Sequence, residues 1–386
     1  MNSTERRQAR YERRKAKREI AKIKRNEGHD FQKVSEFGSL RKSFYKARRG
    51  TNWKASVQRY GCNVLRNSYQ QSQKLKKHMD IRKGFIEFQL NERGKTRHIT
   101  SVHISERVVQ KSTCDYGIVP VMEKSLIYEN GASQAGKGTE FDAQLLIKHL
   151  RRHYRKSGFK NSGYILLGDQ HNFFGSMNHD WVNQTMDSMI TDKELVERTM
   201  EFITPFKEGL GLGSQVCQIN AVAYSNKIDH FIKDELRCEF HAKYMDDWYI
   251  ITDTKEEAQR YLKLISEKYS EIGIEMNTKK TQIVKLSHGF TWLQDRYYLT
   301  ESGKVIRKAS HKSIVRARRK LKKLAKFYND GIVQYDTIVS VYASFRGYMK
   351  RKNGHETKRS MEKLFNELFI KDFIGGKYNE QISFAE

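Results

Sequence analysis

The stretch that decides the fold reads KYMDDWYII and spans residues 243–251. Its two adjacent acids, Asp246 and Asp247, lie between apolar residues in a pattern typical of strands. The sequence therefore predicts two strands over 240–251, joined by a tight turn within 244–248. Adjacent carboxylates repel each other, and holding them beside apolar strands is costly unless a cation neutralises them. An ordinary Asp-rich turn is the alternative that this segment alone leaves open.

A third acid, Asp169, ends the apolar segment YILLGD at 164–169, which has the pattern of a buried strand. It precedes the Asp-Asp turn by 77 residues, and the two segments can meet on neighbouring strands. Three convergent carboxylates are suitable oxygen ligands for two Mg²⁺ ions about 4 Å apart. Such a pair of ions activates a 3′-hydroxyl and stabilises a leaving pyrophosphate. The sequence thus predicts Asp169, Asp246 and Asp247 as catalytic metal ligands for phosphoryl transfer.

The rest of the chain combines many helical segments with a few short strands, which is typical of an α+β fold. Alternating segments at 85–90 and 96–103 predict a hairpin around the turn 91–95. Helices broken near Gly28 and Gly50 are expected within 1–78, and three helices from Ser310 to the end. The other predicted helices are 105–115 (with Ser105 as N-cap), 139–156, 179–202, 215–236 and 255–272, and the other predicted strands are 281–286 and 289–294.

The charge of the chain indicates a polyanionic partner, because 73 Lys and Arg residues against 45 Asp and Glu residues give a formal net charge of +28. Eleven Lys and Arg residues fall within residues 1–25, predicted to form a helix that grips a nucleic-acid backbone. A solvated basic tail is the alternative. A second group of eleven lies in 304–326 without any acid, where apolar residues at helical spacing predict an amphipathic helix with a basic face.

Composition argues against several classes of protein. No apolar run approaches the roughly 18–20 residues of a membrane span, and no apolar segment follows the polar start, so neither a membrane protein nor a secretory signal is expected. The cysteines form no C-x-x-C pair, which disfavours a zinc finger or a disulfide scaffold and fits a reducing cytoplasm. They are Cys62, Cys114, Cys217 and Cys238.

The order of motifs resembles that of a bacterial or phage reverse transcriptase of the non-LTR type. The resemblance covers most of residues 84–300 and is carried by YMDD, by D-x-x-x-F-F at 169–174, and by the Gly-rich turn and helix between them. Residues 105–138 resemble the fingers motif of the bacterial enzymes. The resemblance implies a right-hand polymerase with fingers, a palm with a small antiparallel sheet, and a helical thumb. The implied boundaries are a basic helical N-terminal extension at 1–80, fingers at 81–160, palm at 161–300 and thumb at 301–386.

The same resemblance assigns roles around the acids. Asp169 is the implied first metal ligand, and the backbone carbonyl of Gln170 is an additional one. Lys280, in the segment GIEMNTKKT at 273–281, aligns with the lysine proposed to protonate the departing pyrophosphate. A surface lysine pair is the alternative reading of Lys280 and its neighbour.

Five residues are implied to bind the incoming dNTP: Lys95, Arg97, Phe174, Leu212 and Gly213. Lys95 and Arg97 resemble fingers residues that hold the triphosphate, with a solvated turn as the alternative. Phe174 falls at the family's steric gate against a ribose 2′-hydroxyl, with core packing as the alternative.

Leu212 lies in GLGLGSQVCQ (209–218), where most family members read QGxxxSP. The segment instead matches [I/V/L]GxxxSQ, which marks reverse transcriptases of diversity-generating retroelements, except that Cys217 replaces Ser. An aliphatic Leu212 removes a polar contact to the nucleotide, so relaxed fidelity is a hypothesis.

The helix from Ser310 resembles the first thumb helix, which follows the template–primer duplex, and residues 289–293 resemble the primer grip. The nucleic-acid-binding residues that the resemblance implies on this helix are Arg316, Arg318, Arg319, Lys320, Lys322 and Lys323.

The resemblance implies a cytoplasmic RNA-directed DNA polymerase that uses two Mg²⁺ ions. Its expected partners are a template RNA, structured and noncoding, with the cDNA product, dNTPs, and an accessory protein or a second copy of the chain. An anti-phage defence system or a stand-alone retroelement is the favoured setting, because Cys217 departs from the hallmark Ser. The alternatives are a diversity-generating retroelement, template-independent or protein-primed synthesis, and a non-catalytic RNA-binding scaffold.

Overall fold

The computed structural model describes residues 2–92 and 94–370, and within them helices and short strands are mixed, which confirms the predicted α+β class. The described α-helices are α1 (Ser3–Asn26), α2 (Phe31–Ser35), α3 (Phe37–Ala47), α4 (Ala55–Cys62), α5 (Val64–Lys76), α6 (Ile104–Ser112), α7 (Val119–Met122), α8 (Thr139–Lys156), α9 (His179–Met189), α10 (Lys193–Met200), α11 (Gln215–Tyr224), α12 (Asn226–His230), α13 (Lys255–Glu271), α14 (His311–Asn329), α15 (Tyr335–Met349) and α16 (His355–Phe369). The described strands are β1 (Phe85–Glu92), β2 (Lys95–Val102), β3 (Tyr164–Asp169), β4 (His241–Tyr244), β5 (Asp247–Thr252), β6 (Gln282–Lys285), β7 (Phe290–Trp292), β8 (Asp295–Leu299) and β9 (Val305–Ala309).

The described strands form three sheets. β1 and β2 make the predicted hairpin, in register from Phe85 opposite Val102 to Glu92 opposite Lys95. A four-stranded sheet has the order β4-β5-β3-β6, and β4 runs antiparallel to β5. β7, β8 and β9 form an antiparallel meander. The four-stranded sheet matters most for function, because β3 ends at one predicted acid and the β4–β5 turn carries the other two.

The chain divides into two compact units. The first comprises Met1–Leu145, Gly168–Ile250 and Glu256–Gln282, and therefore contains the hairpin, the three predicted acids and the predicted catalytic lysine. The second comprises Leu146–Leu167, Ile251–Lys255 and Ile283–Glu386. In its described part, α14, α15 and α16 share an apolar core. The predicted boundaries of extension, fingers, palm and thumb stay predictions, and residues 371–386 of the predicted thumb lie outside the described residues.

The N-terminal part of the first unit is helical, as predicted, and its helices break at Gly28 and Gly50, each with a positive φ. A capping box begins α1: the Asn2 side chain accepts from the Glu5 backbone, and the Glu5 side chain accepts from the Asn2 backbone. The far end of α1 is attached to the 187–189 segment, where Lys22 Nζ donates to the Asp187 carbonyl over 2.9 Å.

Two predicted long helices are shorter in the structure. The predicted helix 179–202 is divided into α9 and α10, because Asp192 accepts a hydrogen bond from the Leu195 backbone and caps a new helix. The predicted helix 215–236 is divided into α11, α12 and a π-helical segment at Phe231–Glu235, with a break at Ser225. Apolar periodicity continues across both breaks, so it does not reveal them.

The predicted cap at Ser105 is also wrong. His103 is the N-cap of α6, and its Nδ1 accepts from the Ser105 backbone N–H over 3.2 Å. The periodic apolar pattern continues past α6 into a π-helical turn at Thr113–Ile118.

The sequence prediction missed β8 and β9, and the helix predicted over 304–326 is wrong at its start. Residues Val305–Ala309 form β9, and α14 begins at His311 after the N-cap Ser310. Arg307 is buried because the Asp295 carboxylate accepts from its Nε over 2.7 Å. A cation that an internal carboxylate neutralises can be buried in a core. The sequence of β9 therefore looks like part of a basic helix, although its arginine is buried.

Candidate active site

The four-stranded sheet brings the predicted acids to one edge. Asp169 is the last residue of β3, and β5, which begins with Asp247, is next to β3 in the strand order. The β4–β5 connection is tight, because Tyr244 pairs with Asp247 and Met245 between them has φ 56°. Gly168 is required before the first acid, since a Cβ there would lie 2.2 Å from an indole carbon of Trp248.

Burial and mutual electrostatic repulsion shift the pKa values of Asp246 and Asp247. Burial and the charge of Asp169 raise the pKa of Asp246, against opposing effects of its own backbone and of nearby lysines. Burial, together with the charges of Asp246 and Asp169, raises the pKa of Asp247 to about 7. The three acids are therefore close enough to destabilise one another's charged forms, which is the electrostatic setting that a bound cation relieves.

Lys280 supplies a positive charge to this site. Its Nζ lies 2.6 Å from Asp169 Oδ2, and the lysine side chain is 51% exposed against 9% for the aspartate. Burial lowers the pKa of Lys280, but the hydrogen bond to Asp169 and the three carboxylate charges outweigh it, so the pKa is raised. The lysine loop is anchored to the same acid, because the Asn277 backbone N–H donates to the Asp169 carbonyl over 2.8 Å.

The donor set fits a divalent cation in its chemistry. Asp169 Oδ1 is buried with no hydrogen-bond partner in the described residues, so it is an anionic oxygen without compensation of its own. Among residues 2–92 and 94–370, no three His, Cys, Asp or Glu side chains stand as an assembled metal shell. Lys280 instead holds the other oxygen of Asp169. Gln170 is buried beside it in an isolated bridge with Met276, and its role as a ligand stays a prediction.

A cavity of about 670 Å³ opens beside Asp246 and collects most of the predicted nucleotide-binding residues. Arg97, Phe174, Leu212 and Gly213 all line it. Lys95 does not line this cavity as the structure describes it; it is exposed at the start of β2, opposite Glu92. The structure therefore brings four of the five predicted residues together.

The glycine-rich loop is fixed to the hairpin at this cavity. The Thr100 backbone N–H donates to the Leu212 carbonyl over 2.8 Å. Gly213 has φ 118°, and a Cβ there would lie 2.7 Å from the Thr100 carbonyl oxygen. A side chain would both strain this backbone and force the loop away from β2. The glycine thus holds Leu212 at the cavity wall.

Sequence reasoning missed four cations that line the same cavity: Lys46, Arg49, Arg107 and Lys111. Lys46 and Lys111 both lie within 2.7 Å of the Asp115 carboxylate, so their charge is largely balanced. Arg49 and Arg107 have no acidic partner among the described residues. Arg49 lies in the turn after α3 and Arg107 lies on α6. The two are far apart in sequence, and no motif marks them.

The predicted nucleic-acid-binding residues lie on α14 in the second unit. All six are exposed, while Leu321, Leu324 and Ala325 of the same helix are buried in the core of α14–α16. The helix is therefore amphipathic with a continuous basic face, as predicted from Ser310 onward.

The chain was compared with known proteins. The reverse transcriptase (RNA-dependent DNA polymerase) family matches residues 81–295, more than half of the chain. Among solved structures, the chain is similar to apo telomerase of Candida tropicalis truncated from its C-terminal domain, with 12% identity and a TM-score of 0.46 over 57% of this chain and 54% of that one. It is also similar to Candida albicans telomerase with a TWJ fragment of telomeric RNA, with 9% identity and a TM-score of 0.47 over 80% and 65%.

The chain thus spans about half of the first telomerase chain. The comparison with curated proteins gave no match. No helix among the described residues is long and apolar enough to cross a membrane. The family match covers the segments that carry the acids, Lys280 and the lining of the cavity from the hairpin onward. From this match we conclude that the chain belongs to the reverse transcriptase (RNA-dependent DNA polymerase) family.

Proposed function

We propose that this chain copies an RNA template into DNA by two-metal phosphoryl transfer. One observation carries the proposal: three mutually repelling carboxylates, Asp169, Asp246 and Asp247, lie beside a cavity of about 670 Å³ that arginines line. Two of these, Arg49 and Arg107, have no acidic partner among the described residues. Carboxylates suit divalent cations, and arginines suit a triphosphate. The two halves of the site therefore match the two halves of a metal-bound dNTP.

In this proposal Asp169, Asp246 and Asp247 hold two Mg²⁺ ions. When bound, the ions lower the pKa of the primer 3′-hydroxyl and neutralise charge on the pyrophosphate that leaves. Lys280, whose Nζ lies 2.6 Å from Asp169 Oδ2, would hold the proton that the departing pyrophosphate takes. Its raised pKa keeps it protonated at neutral pH, which a general acid in this position requires.

Different residues of the cavity lining contact different parts of the nucleotide in this proposal. Arg97, with Arg49 and Arg107, donates to the triphosphate, because guanidinium groups pair well with phosphate oxygens. Phe174 lies in the same lining and presents a ring to the sugar, where a 2′-hydroxyl would clash. Leu212 presents an aliphatic side chain and offers no hydrogen bond to the base or sugar.

The test is nucleotide incorporation by the purified chain, with and without its co-purified RNA, using each dNTP separately in Mg²⁺ or EDTA. The Asp246→Ala/Asp247→Ala variant removes two ligands, and Asp330→Ala/Asp336→Ala removes two exposed acids of the second unit as the matched control. We expect Mg²⁺-dependent synthesis that the first variant loses and the control keeps.

The template is identified by sequencing the product and by RNase treatment. Synthesis that survives RNase and yields a sequence unrelated to any RNA would replace templated copying with template-independent or protein-primed synthesis. No synthesis under any condition, with RNA still bound, would replace the polymerase with an RNA-binding scaffold.

For the biological setting we propose an anti-phage defence system or a stand-alone bacterial or phage retroelement of the non-LTR type, acting in the cytoplasm with a structured noncoding RNA. What supports this is Cys217, which is fully buried in α11 at the position where the diversity-generating pattern has Ser. The second candidate is a diversity-generating retroelement, which the rest of the segment 212–218 favours. A phage-challenge assay with the active-site variant, and the sequence of the co-purified RNA, separate the two settings.

A further inference from the structure

A second cavity, of about 300 Å³, lies in the helical N-terminal part of the first unit. Its lining shares no residue with the cavity beside Asp246. Ser56, Arg59 and Tyr60 contribute from one face of α4, and four residues of α5 at helical spacing face them. The remaining wall comes from Ile81, Lys83 and the start of α6. We call it the α4–α5 cavity.

The α4–α5 cavity has a strongly positive lining. Arg59, Lys74 and Lys83 contribute three cations, and no Asp or Glu is part of the lining. None of the three has an acidic partner among the described residues. The neighbouring acids are already engaged: Asp80 pairs with Arg82 over 2.9 Å, and Glu106 accepts from the Lys83 backbone and from Gln110. The concave arrangement of unpaired cations therefore concentrates positive potential with no internal counter-charge.

The neighbouring histidine is affected by this potential. His103 lines the cavity, and burial together with the charges of Lys83 and Arg59 lowers its pKa. Both cations are exposed, yet their charges reach the same histidine in the cavity lining.

The wall behind the cations is rigid and polar. Tyr60 Oη donates to Gln71 Oε1 over 2.5 Å, and Gln71 Nε2 donates to the Ser105 carbonyl over 2.6 Å. Asn67 Nδ2 donates to the Tyr60 carbonyl over 3.0 Å. Tyr60 and Gln71 are both buried, so this chain of hydrogen bonds joins α4, α5 and α6 into one preformed surface.

Aromatic side chains stand next to the cavity in sequence. Tyr69, beside the lining residue Gln70 on α5, is 58% exposed, and Trp53, three residues before Ser56, is 75% exposed. Exposed rings next to unpaired cations are the combination that single-stranded nucleic acid uses, since bases stack on the rings while phosphates meet the cations. A free inorganic anion would need no such rings.

We propose that the α4–α5 cavity binds a phosphate group of single-stranded RNA and so anchors the RNA partner at a place separate from the nucleotide site. A volume of about 300 Å³ is sufficient for one nucleotide. The phosphate comes either from an internal phosphodiester or from a terminal 5′-phosphate. The proposal rests on the proposed function only in that RNA is the partner, and it does not require catalysis.

The test compares two triple variants that lose the same charge. Arg59→Gln/Lys74→Gln/Lys83→Gln removes the cations of the cavity. Arg66→Gln/Lys76→Gln/Lys77→Gln removes three exposed cations on or directly after α5 that do not line it. The probe is a fluorescent single-stranded RNA of 20 nucleotides, whose dissociation constant is measured by anisotropy between 50 and 300 mM salt.

We expect the cavity variant to bind RNA about tenfold or more weakly. Its salt slope should fall by about 0.7, which is the contribution of the single phosphate contact that the cavity is proposed to make. The control variant should stay within about threefold of the original chain and keep most of its slope. Thermal unfolding of both variants establishes that each is folded. Equal losses in the two variants, or unchanged binding in the cavity variant, would overturn the proposal.

Two further arms identify the phosphate and separate this proposal from catalysis. If RNA with a 5′-phosphate binds more tightly than 5′-hydroxyl RNA, and only when the cavity is intact, the ligand is the terminal group; equal binding assigns an internal phosphodiester. Nucleotide incorporation is measured in parallel at saturating primer–template, where the cavity variant should retain activity. A chain that makes no DNA yet shows the difference between the variants would refute the polymerase and leave the RNA anchor standing.

Discussion

The buried pair Lys243–Asp229 lies directly before the turn that carries Asp246 and Asp247, and its disruption should destabilise that turn. Both side chains are fully buried, and Lys243 Nζ lies 3.8 Å from Asp229 Oδ1. Lys243 Nζ also donates to the hydroxyls of Ser225 and, over 3.4 Å, Tyr269. Burial lowers the pKa of Lys243 more than the Asp229 charge raises it, so burying this pair is costly.

The magnitude follows from the separation of the charges. Two unit charges 3.8 Å apart attract with about 4 kcal/mol at an effective dielectric constant of about 20. Lys243→Met keeps the volume but leaves the Asp229 carboxylate buried, with the His241 ring 3.8 Å away. We expect a loss of roughly 3–5 kcal/mol in the free energy of unfolding. The double variant Lys243→Met/Asp229→Leu removes both charges and should recover most of that loss.

The assay is urea unfolding followed by circular dichroism, completed as a double-mutant cycle with Asp229→Leu alone. Nucleotide incorporation should follow the same order, because Lys243 is only three residues from Asp246 on β4 and its turn. A Lys243→Met variant within about 1 kcal/mol of the original chain, or a double variant no more stable than Lys243→Met, would refute the reasoning.

Four other predictions concern the site itself. Gly213→Ala should raise the KM for dNTP at least about tenfold by moving the loop off Thr100. Gly158→Ala, which also has a positive φ but open space around it, should leave the KM unchanged; steady-state kinetics decides. Phe174→Ala should reduce discrimination against ribonucleotides about tenfold or more, measured as the ratio of kcat/KM values for dNTP and NTP, and an unchanged ratio would assign the ring to packing. Leu212→Gln should lower the error rate of the cDNA if its aliphatic side chain relaxes fidelity, and sequencing that finds the same error rate would exclude this role. In EDTA, the free energy of unfolding should fall as pH rises from about 4 to 7. The pKa of Asp247 is raised to about 7 in the folded state, so in this window the native state keeps a proton that the unfolded state has already lost. Added Mg²⁺ should reverse the fall at about pH 8, and an Asp247→Asn variant with the same pH dependence would contradict the assignment.

Local chemistry in the sequence was sufficient to predict the acids and the elements that carry them. The apolar runs before Asp169 and around Asp246 and Asp247 predicted β3, β4 and β5. A strand that is buried on both faces needs apolar residues at nearly every position, so its sequence pattern is easy to recognise. The α+β class, the hairpin, and the helical N-terminal part were confirmed for the same reason. The assignment of the family from YMDD and its upstream strand agrees with the match over 81–295.

Only the tertiary structure decided which cations face which cavity. Arg49 follows α3, Arg107 lies on α6 and Arg97 on β2, yet all three line the nucleotide cavity, and no local sequence pattern predicts this. The same holds for the breaks within 179–202 and 215–236, where caps and buried side chains override an uninterrupted periodicity. The sequence pattern places Arg307 in a basic helix, whereas the structure places it on a strand with its charge paired to Asp295. Sequence patterns encode burial and backbone preference, which are local, whereas the pairing or freedom of a charge depends on groups brought from distant parts of the chain.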